Sequence, residues 1–135
     1  SAGEETVKEL ISLAKERDVK VIMSNHDFYA TPSKEEMIGR LRRMEELGTD
    51  IAKIAVMPGC PEDVLALLET TLEAKKSLSC PIITMSMKGS GLISRLCGEV
   101  FGSCGTFGTA GAASAPGQID AGELKTVLEI IHKSL

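Results

Sequence analysis

Apolar residues recur along this chain in two alternating rhythms. In residues 4–17, "EETVKELISLAKER", Val7, Leu10, Ile11 and Ala14 fall at i, i+3, i+4 and i+7, the stripe of an amphipathic helix. Glu4 and Glu5 suit its positive N-terminal end, and Lys15 and Arg17 its other end. "VKVIMS" (19–24) then reads as a strand, running on through "VIMSNHDF" (21–28) to put His26 between Asn25 and Asp27 at its C-terminal end. "TPSKEEMIGRLRRMEELG" has Thr31 or Ser33 as a cap, Pro32 in an early turn and Gly48 as a stop, and predicts a helix. "IAKIAVM" (51–57) predicts a strand and "PEDVLALLETTLEAKKSL" a helix; "PIITMSM" (81–87) a strand and "GLISRLCGEVFG" (91–102) a helix. "GTFGT" (105–109) reads as a short Gly-rich strand, and "AGELKTVLEIIHKSL" as a closing helix.

The predicted order is one helix followed by four βα units, in a single domain spanning 1–135. Strands that are continuous apolar runs, alternating with helices, imply a parallel sheet covered by helices in an α/β fold. Two architectures fit: an open doubly wound sheet and part of a (β/α)8 (TIM) barrel. No Gly-rich phosphate loop follows the first strand, which weakens the dinucleotide-binding form of the open sheet. Functional residues of a (β/α)8 barrel collect where strands end. Here Asn25 and His26, Met57, Met85 and Met87, and Phe107 all stand at such ends, which favours the barrel.

Composition narrows the function classes. Aromatic content is 3% with no Trp, and the net charge of −4 comes with scattered Lys and Arg. Neither a base-stacking surface nor a phosphate-backbone footprint is present, so no nucleic-acid partner is expected. The four cysteines, Cys60, Cys80, Cys97 and Cys104, form no CxxC pair, so no metal is expected and the thiols read as reduced, in a cytoplasmic protein. No stretch approaches the roughly 20 apolar residues of a membrane span, and none reads as a signal peptide, so no membrane partner is expected.

Lys53 is the most informative residue. It lies in "DIAKIAVMP" with Ile51, Ala52, Ile54, Ala55 and Val56 around it, and shares a strand face with Ile51 and Ala55. The plain reading is a lysine near the strand start that snorkels outward or pairs with Asp50. The chemical reading is an amine that forms an imine with a ketone. Such an amine must be unprotonated, and at a pKa of about 10.4 roughly one molecule in 2,500 is neutral at pH 7. A drop of three units, equivalent to about 4 kcal/mol, would remedy that, and burial can supply it. His26 on the neighbouring strand, at about 4.8 Å spacing, would complete an acid–base and nucleophile pair.

Other polar residues carry weaker signals. Arg95 in "ISRLCG" reads most simply as a solvated helix residue, and alternatively as a bidentate grip on a substrate carboxylate. "ASAPGQI" is a turn in which Ser114 and Gln118 can donate to substrate. Met85 and Met87 share a strand face and read as core; His132 reads as a surface residue favoured by its helix end; "RLRRMEELG" reads as a solvated helix face.

Taken in order, "SNHDF", "AKIAVMP", "PIITMSM", "ISRLCGEVFGS", "TFG" and "SAPGQI" resemble type I 3-dehydroquinate dehydratase, over nearly the whole chain. The resemblance implies a (β/α)8 barrel that removes water from 3-dehydroquinate to give 3-dehydroshikimate in the shikimate pathway, with no cofactor. It implies Lys53 as the imine-forming lysine and His26 as the general acid and base. It implies that Arg95, Ser114 and Gln118 bind the substrate's carboxylate and hydroxyls, and that Met85, Met87, Phe107 and Ala115 line the pocket. Gly59 and Cys60 depart from the Gln that the family often has after "MP", and "GTAGAA" lacks its usual lysines.

Length is the larger departure. A (β/α)8 barrel takes about 250 residues, and 135 residues correspond to its second half. Half a barrel leaves open strand edges and a half-covered core. The chain is therefore expected to self-associate or to pair with a separate N-terminal half. The competing functions are a non-catalytic half-barrel acting as an assembly or folding module, and another imine-forming enzyme of the class I aldolase type.

Overall fold

The computed structural model describes residues 3–135. Helix α1 (Glu4–Glu16) leads into β1 (Ile22–His26), α2 (Lys34–Glu46), β2 (Ile51–Val56), α3 (Pro61–Ser77) and β3 (Ile82–Ser86). A 3-10 turn (Gly89–Gly91), two short helices α4 (Leu92–Leu96) and α5 (Gly98–Phe101), and a long α6 (Ala121–Ser134) follow. The three strands are parallel and in chain order, with Ser24 opposite Lys53 and Lys53 opposite Ile83.

Local chemistry sets these boundaries. The Ser33 hydroxyl accepts from the Glu36 amide and starts α2, and Asp120 accepts from the Gly122 and Glu123 amides and starts α6. Pro61 opens α3, where its missing N–H has no intrahelical acceptor to lose. At the strand N-termini, the Val21 amide donates to Asp50 Oδ2 (2.8 Å) and the Met23 amide to Thr49 Oγ1 (3.1 Å), which locks the β1–β2 register.

One face of the sheet is finished. Met37, Leu41 and Met44 of α2 and Leu67 and Ala74 of α3 pack on Ala52, Ile54, Val56 and Ile82. Each large apolar side chain fully buried there contributes about 1.5–3 kcal/mol. The other face carries Ile51, Ala55, Ile83, Met85 and Met87, together with Met57. On this second face β1 presents Ile22, Ser24 and His26, all largely exposed, because no described helix covers that side of the edge strand.

The expected fourth strand at 105–109 does not join the ladder. Pairing stops at an isolated bridge between Ile82 and Ser103, and a second bridge ties Thr109 to Asp120. The outward amides of β3 are already taken by serine hydroxyls: Thr84 N–H donates to Ser103 Oγ (3.2 Å) and Ser86 N–H to Ser94 Oγ (2.8 Å). Gly105 and Gly108 bring no side chains to hold a strand there. The helix expected over 91–102 is also broken, because the chain turns at Cys97 and stops at Gly102, whose φ is +108°.

Candidate active site

Lys53 and His26 meet on the unfinished face. His26 stands opposite Ala55, two residues beyond Lys53 on the same side of the sheet. The small Ala55 side chain leaves room for the lysine to run along β2 toward the strand's C-terminal end, where Nζ comes 3.4 Å from His26 Nε2. Lys53 is half-buried rather than enclosed. Partial burial pulls its pKa below the ordinary lysine value, and the positive charge of Arg95 adds to that. Partial burial likewise lowers His26, with the Lys53 charge as the second cause. Both shifts favour the unprotonated forms, an amine that can attack and an imidazole that can accept a proton.

Aromatic rings flank the pair. The Phe107 ring lies under Lys53 Nζ, 4.5 Å from centroid to nitrogen. The Phe28 ring stacks on the His26 imidazole with centroids 5.7 Å apart and planes 9° from parallel. Asn25 and Asp27, which bracket His26 in sequence, are held from α2. Arg40 Nη1 donates to Asn25 Oδ1 (2.9 Å) and stands 3.6 Å from Asp27 Oδ2. Asp27 also accepts from the Tyr29 and Ala30 amides, which bends the chain away directly after the histidine. Phe28 was not anticipated as a site residue, and Arg40, which opens the "RLRRMEELG" run read as a solvated helix face, instead turns to the end of β1, where Asn25 and Asp27 offer it acceptors.

Arg95 is not the solvated helix residue of the plain reading. It is 1% exposed, with Nη1 on Met85 Sδ (3.1 Å), Nη2 on the Pro116 carbonyl (3.0 Å) and Nε without a partner. A buried guanidinium whose acceptors are a thioether and one carbonyl lacks an anion among the described residues. The same Pro116 carbonyl accepts from the Lys88 amide (3.2 Å), which seats the 114–118 loop beside Arg95. Within that loop the Ser114 amide donates to Gln118 Oε1 (2.9 Å) and the two side chains bond to each other. Ala115 is half-buried, and Met85 and Met87 are buried in the second-face cluster.

A cleft of about 300 Å³ lined by Arg95, Glu99, Ser103, Cys104, Thr106 and Leu128 touches this constellation only through Arg95. The amine and imidazole lie outside it, on the open sheet face. His132 is a surface residue, as expected, and pairs with Glu99 (2.6 Å). The "RLRRMEELG" helix face carries the Arg43–Glu46 pair (2.9 Å), and Arg43 also reaches across to Glu4 on α1. No cluster of metal-ligating side chains occurs among the described residues, and no described helix is long and apolar enough to cross a membrane.

These features define a class: parallel β/α units of a TIM barrel, about half of one, with a depressed-pKa lysine beside an imidazole at the strand ends. The sequence model for type I 3-dehydroquinase matches residues 1–135. The chain belongs to the type I 3-dehydroquinase family. It is 59% identical over 133 residues to the 3-dehydroquinate dehydratase of Clostridium novyi (strain NT), covering 98% of this chain and 53% of that protein. A crystal structure of the type I enzyme from Clostridium difficile with covalently modified comenic acid superposes with a TM-score of 0.94 at 57% identity, covering 98% of this chain and 53% of that one. The 3-dehydroquinate dehydratase of Geobacillus kaustophilus HTA426 gives 0.93 at 45% identity, covering 96% and 50%. The chain thus spans about half the length of the relatives it matches.

Proposed function

We propose that this chain carries the imine-forming part of a 3-dehydroquinate dehydratase. The observation that supports it most is an amine with lowered pKa 3.4 Å from an imidazole, beside a buried arginine lacking an anion. The covalently modified ligand in the Clostridium difficile relative fits the same chemistry.

Lys53 Nζ attacks the C3 ketone of 3-dehydroquinate, and His26 passes protons as the carbinolamine loses water to become an imine. The protonated imine draws electrons from the adjacent C–H bond, and His26 takes the C2 proton. The electron pair expels the C1 hydroxyl, which leaves as water with the proton that His26 returns. Water then hydrolyses the imine, freeing 3-dehydroshikimate and restoring Lys53. Arg95 takes the substrate carboxylate, exchanging a thioether contact for a charge-assisted bond. Ser114 and Gln118 hold hydroxyls, and Met85, Met87, Phe107 and Ala115 form the apolar wall. The chemistry needs no cofactor. Free cysteines at all four positions support a reducing, cytoplasmic setting.

Borohydride reduction with 3-dehydroquinate, followed by mass spectrometry, tests the reading. An adduct on Lys53 that disappears in Lys53→Ala is expected, with His26→Ala trapping slowly. Equal trapping in Lys53→Ala overturns the lysine assignment, and no adduct at all favours a non-catalytic assembly module.

The uncovered face favours a second part to this reading, in which the chain self-associates or pairs with a separate N-terminal half. Exposed Ile22, the unpaired β1 edge and half-covered Lys53 are the supporting features. Light scattering on a sizing column is expected to show association; a compact monomer at every concentration that also gains nothing from the N-terminal half defeats it.

A further inference from the structure

We propose that Phe107 is an electrostatic partner of the reacting nitrogen, its ring face holding the positive charge that Lys53 carries as an ammonium and, on the reading above, as a protonated imine. The ring centroid is 4.5 Å from Nζ, inside the range of about 6 Å over which a cation is attracted to an aromatic face. The titratable or charged groups facing Nζ are the His26 imidazole from β1 and, through space, Arg95 from α4. Both are basic, and no carboxylate pairs with Lys53 among the described residues. The aromatic face favours a positive nitrogen whichever tautomer the imidazole adopts, including the one that turns an N–H toward Nζ.

Imine chemistry makes opposed demands on this atom. Attack on a ketone needs the free amine, which desolvation and Arg95 promote. Electron withdrawal from the C2–H bond needs a cationic nitrogen, which the same surroundings resist. A carboxylate in contact would satisfy the second demand by holding the amine protonated and so defeat the first. A ring quadrupole is gentler: it shifts a protonation equilibrium by about two- to thirtyfold. That tilts the imine toward its reactive form while leaving free amine available.

A glycine lets the ring reach its place although 105–109 forms no ladder strand. A Cβ on Gly108 would lie 2.8 Å from the Ala121 Cα, so only glycine lets this segment close on α6. Phe107 is thereby carried over β2 without a strand's hydrogen bonds.

The test replaces Phe107 with phenylalanines bearing progressively more fluorine, which keep the shape and drain the ring face of negative potential, and with leucine. Two quantities are read in the intact chain: the ionisation midpoint of Lys53, from the pH dependence of its acetylation by acetic anhydride, and the rate of borohydride trapping with 3-dehydroquinate. The midpoint is expected to fall steadily along the fluorine series, by about half a unit for leucine, and trapping, read at a pH above every midpoint so that free amine is equal throughout, to fall two- to tenfold. A midpoint that stays level or rises overturns the proposal, and level trapping beside a falling midpoint overturns its imine part. If the unmodified chain traps nothing, the imine reading itself has failed, and the acetylation midpoint still decides whether the ring holds the charge.

Discussion

Gly117 pins the 114–118 loop to the rest of the site, and Gly117→Ala is expected to loosen it at a calculable cost. The residue has φ of +83°, and a Cβ there would lie 2.3 Å from the Lys88 carbonyl oxygen and 2.7 Å from its carbon. Both are backbone atoms, so the segments must part by about 1 Å to regain ordinary contact. At that separation Pro116 no longer accepts from Lys88 N (3.2 Å) or Arg95 Nη2 (3.0 Å). Left-handed backbone with a Cβ costs about 1–2 kcal/mol. Losing one neutral and one charge-assisted hydrogen bond adds about 2.5–4 kcal/mol. Partial relaxation of the loop brings the expected loss to about 2–4 kcal/mol. Urea unfolding followed by circular dichroism measures it, with Gly89→Ala, which has open space around its Cβ, as the comparison. A Gly117→Ala unfolding free energy within about 0.5 kcal/mol of the parent would refute the claim that this loop is seated through a glycine-only contact.

Three further outcomes are expected. Gly39 lies inside α2 with nothing near its Cβ position, so Gly39→Ala should stabilise the chain by about 0.5–1 kcal/mol in the same urea assay. Lys53→Met should stabilise modestly at neutral pH, by less than about 1 kcal/mol given the exposure of the amine. Because the folded pKa is depressed, the unfolded chain holds the proton more tightly, so the advantage is full below the lowered folded value. It should fade as pH rises from there to the ordinary lysine value, and thermal melts from neutral pH upward would show it. Arg40→Met releases Asn25 and Asp27 together, so NMR relaxation should report greater motion at the His26 backbone, with about 1 kcal/mol of stability lost; unchanged relaxation would show that the strand end holds itself.

Much of the fold was legible because apolar residues decide it. The apolar positions of α2 and α3 and the runs of β2 and β3 supply the buried core, whereas the α1 stripe buries Ile11 and leaves Leu10 exposed. Lys53 stood out for the same reason, as a charge inside such a run, and His26 as polar chemistry at a strand end. What escaped depends on partners distant in sequence. Ser94 and Ser103 cap the β3 edge and so displace the expected fourth strand, which no local pattern around Phe107 reveals. Arg95 sits at a helix position that periodicity cannot distinguish from a solvated one, and its burial follows from Met85 and the Pro116 carbonyl closing on it. The grip of Arg40 on both neighbours of His26 requires α2 to lie over β1.

The two side chains proposed to react ride on strands of unequal security. The amine belongs to β2, hydrogen-bonded on both sides, while the imidazole belongs to β1, which among the described residues has a neighbour on one side only. Warming should fray the outer strand first, so the partners would drift apart while the sheet's centre still holds. Loss of the amine–imidazole contact and global melting would then have different temperatures, and whatever covers the outer strand would restore their coincidence.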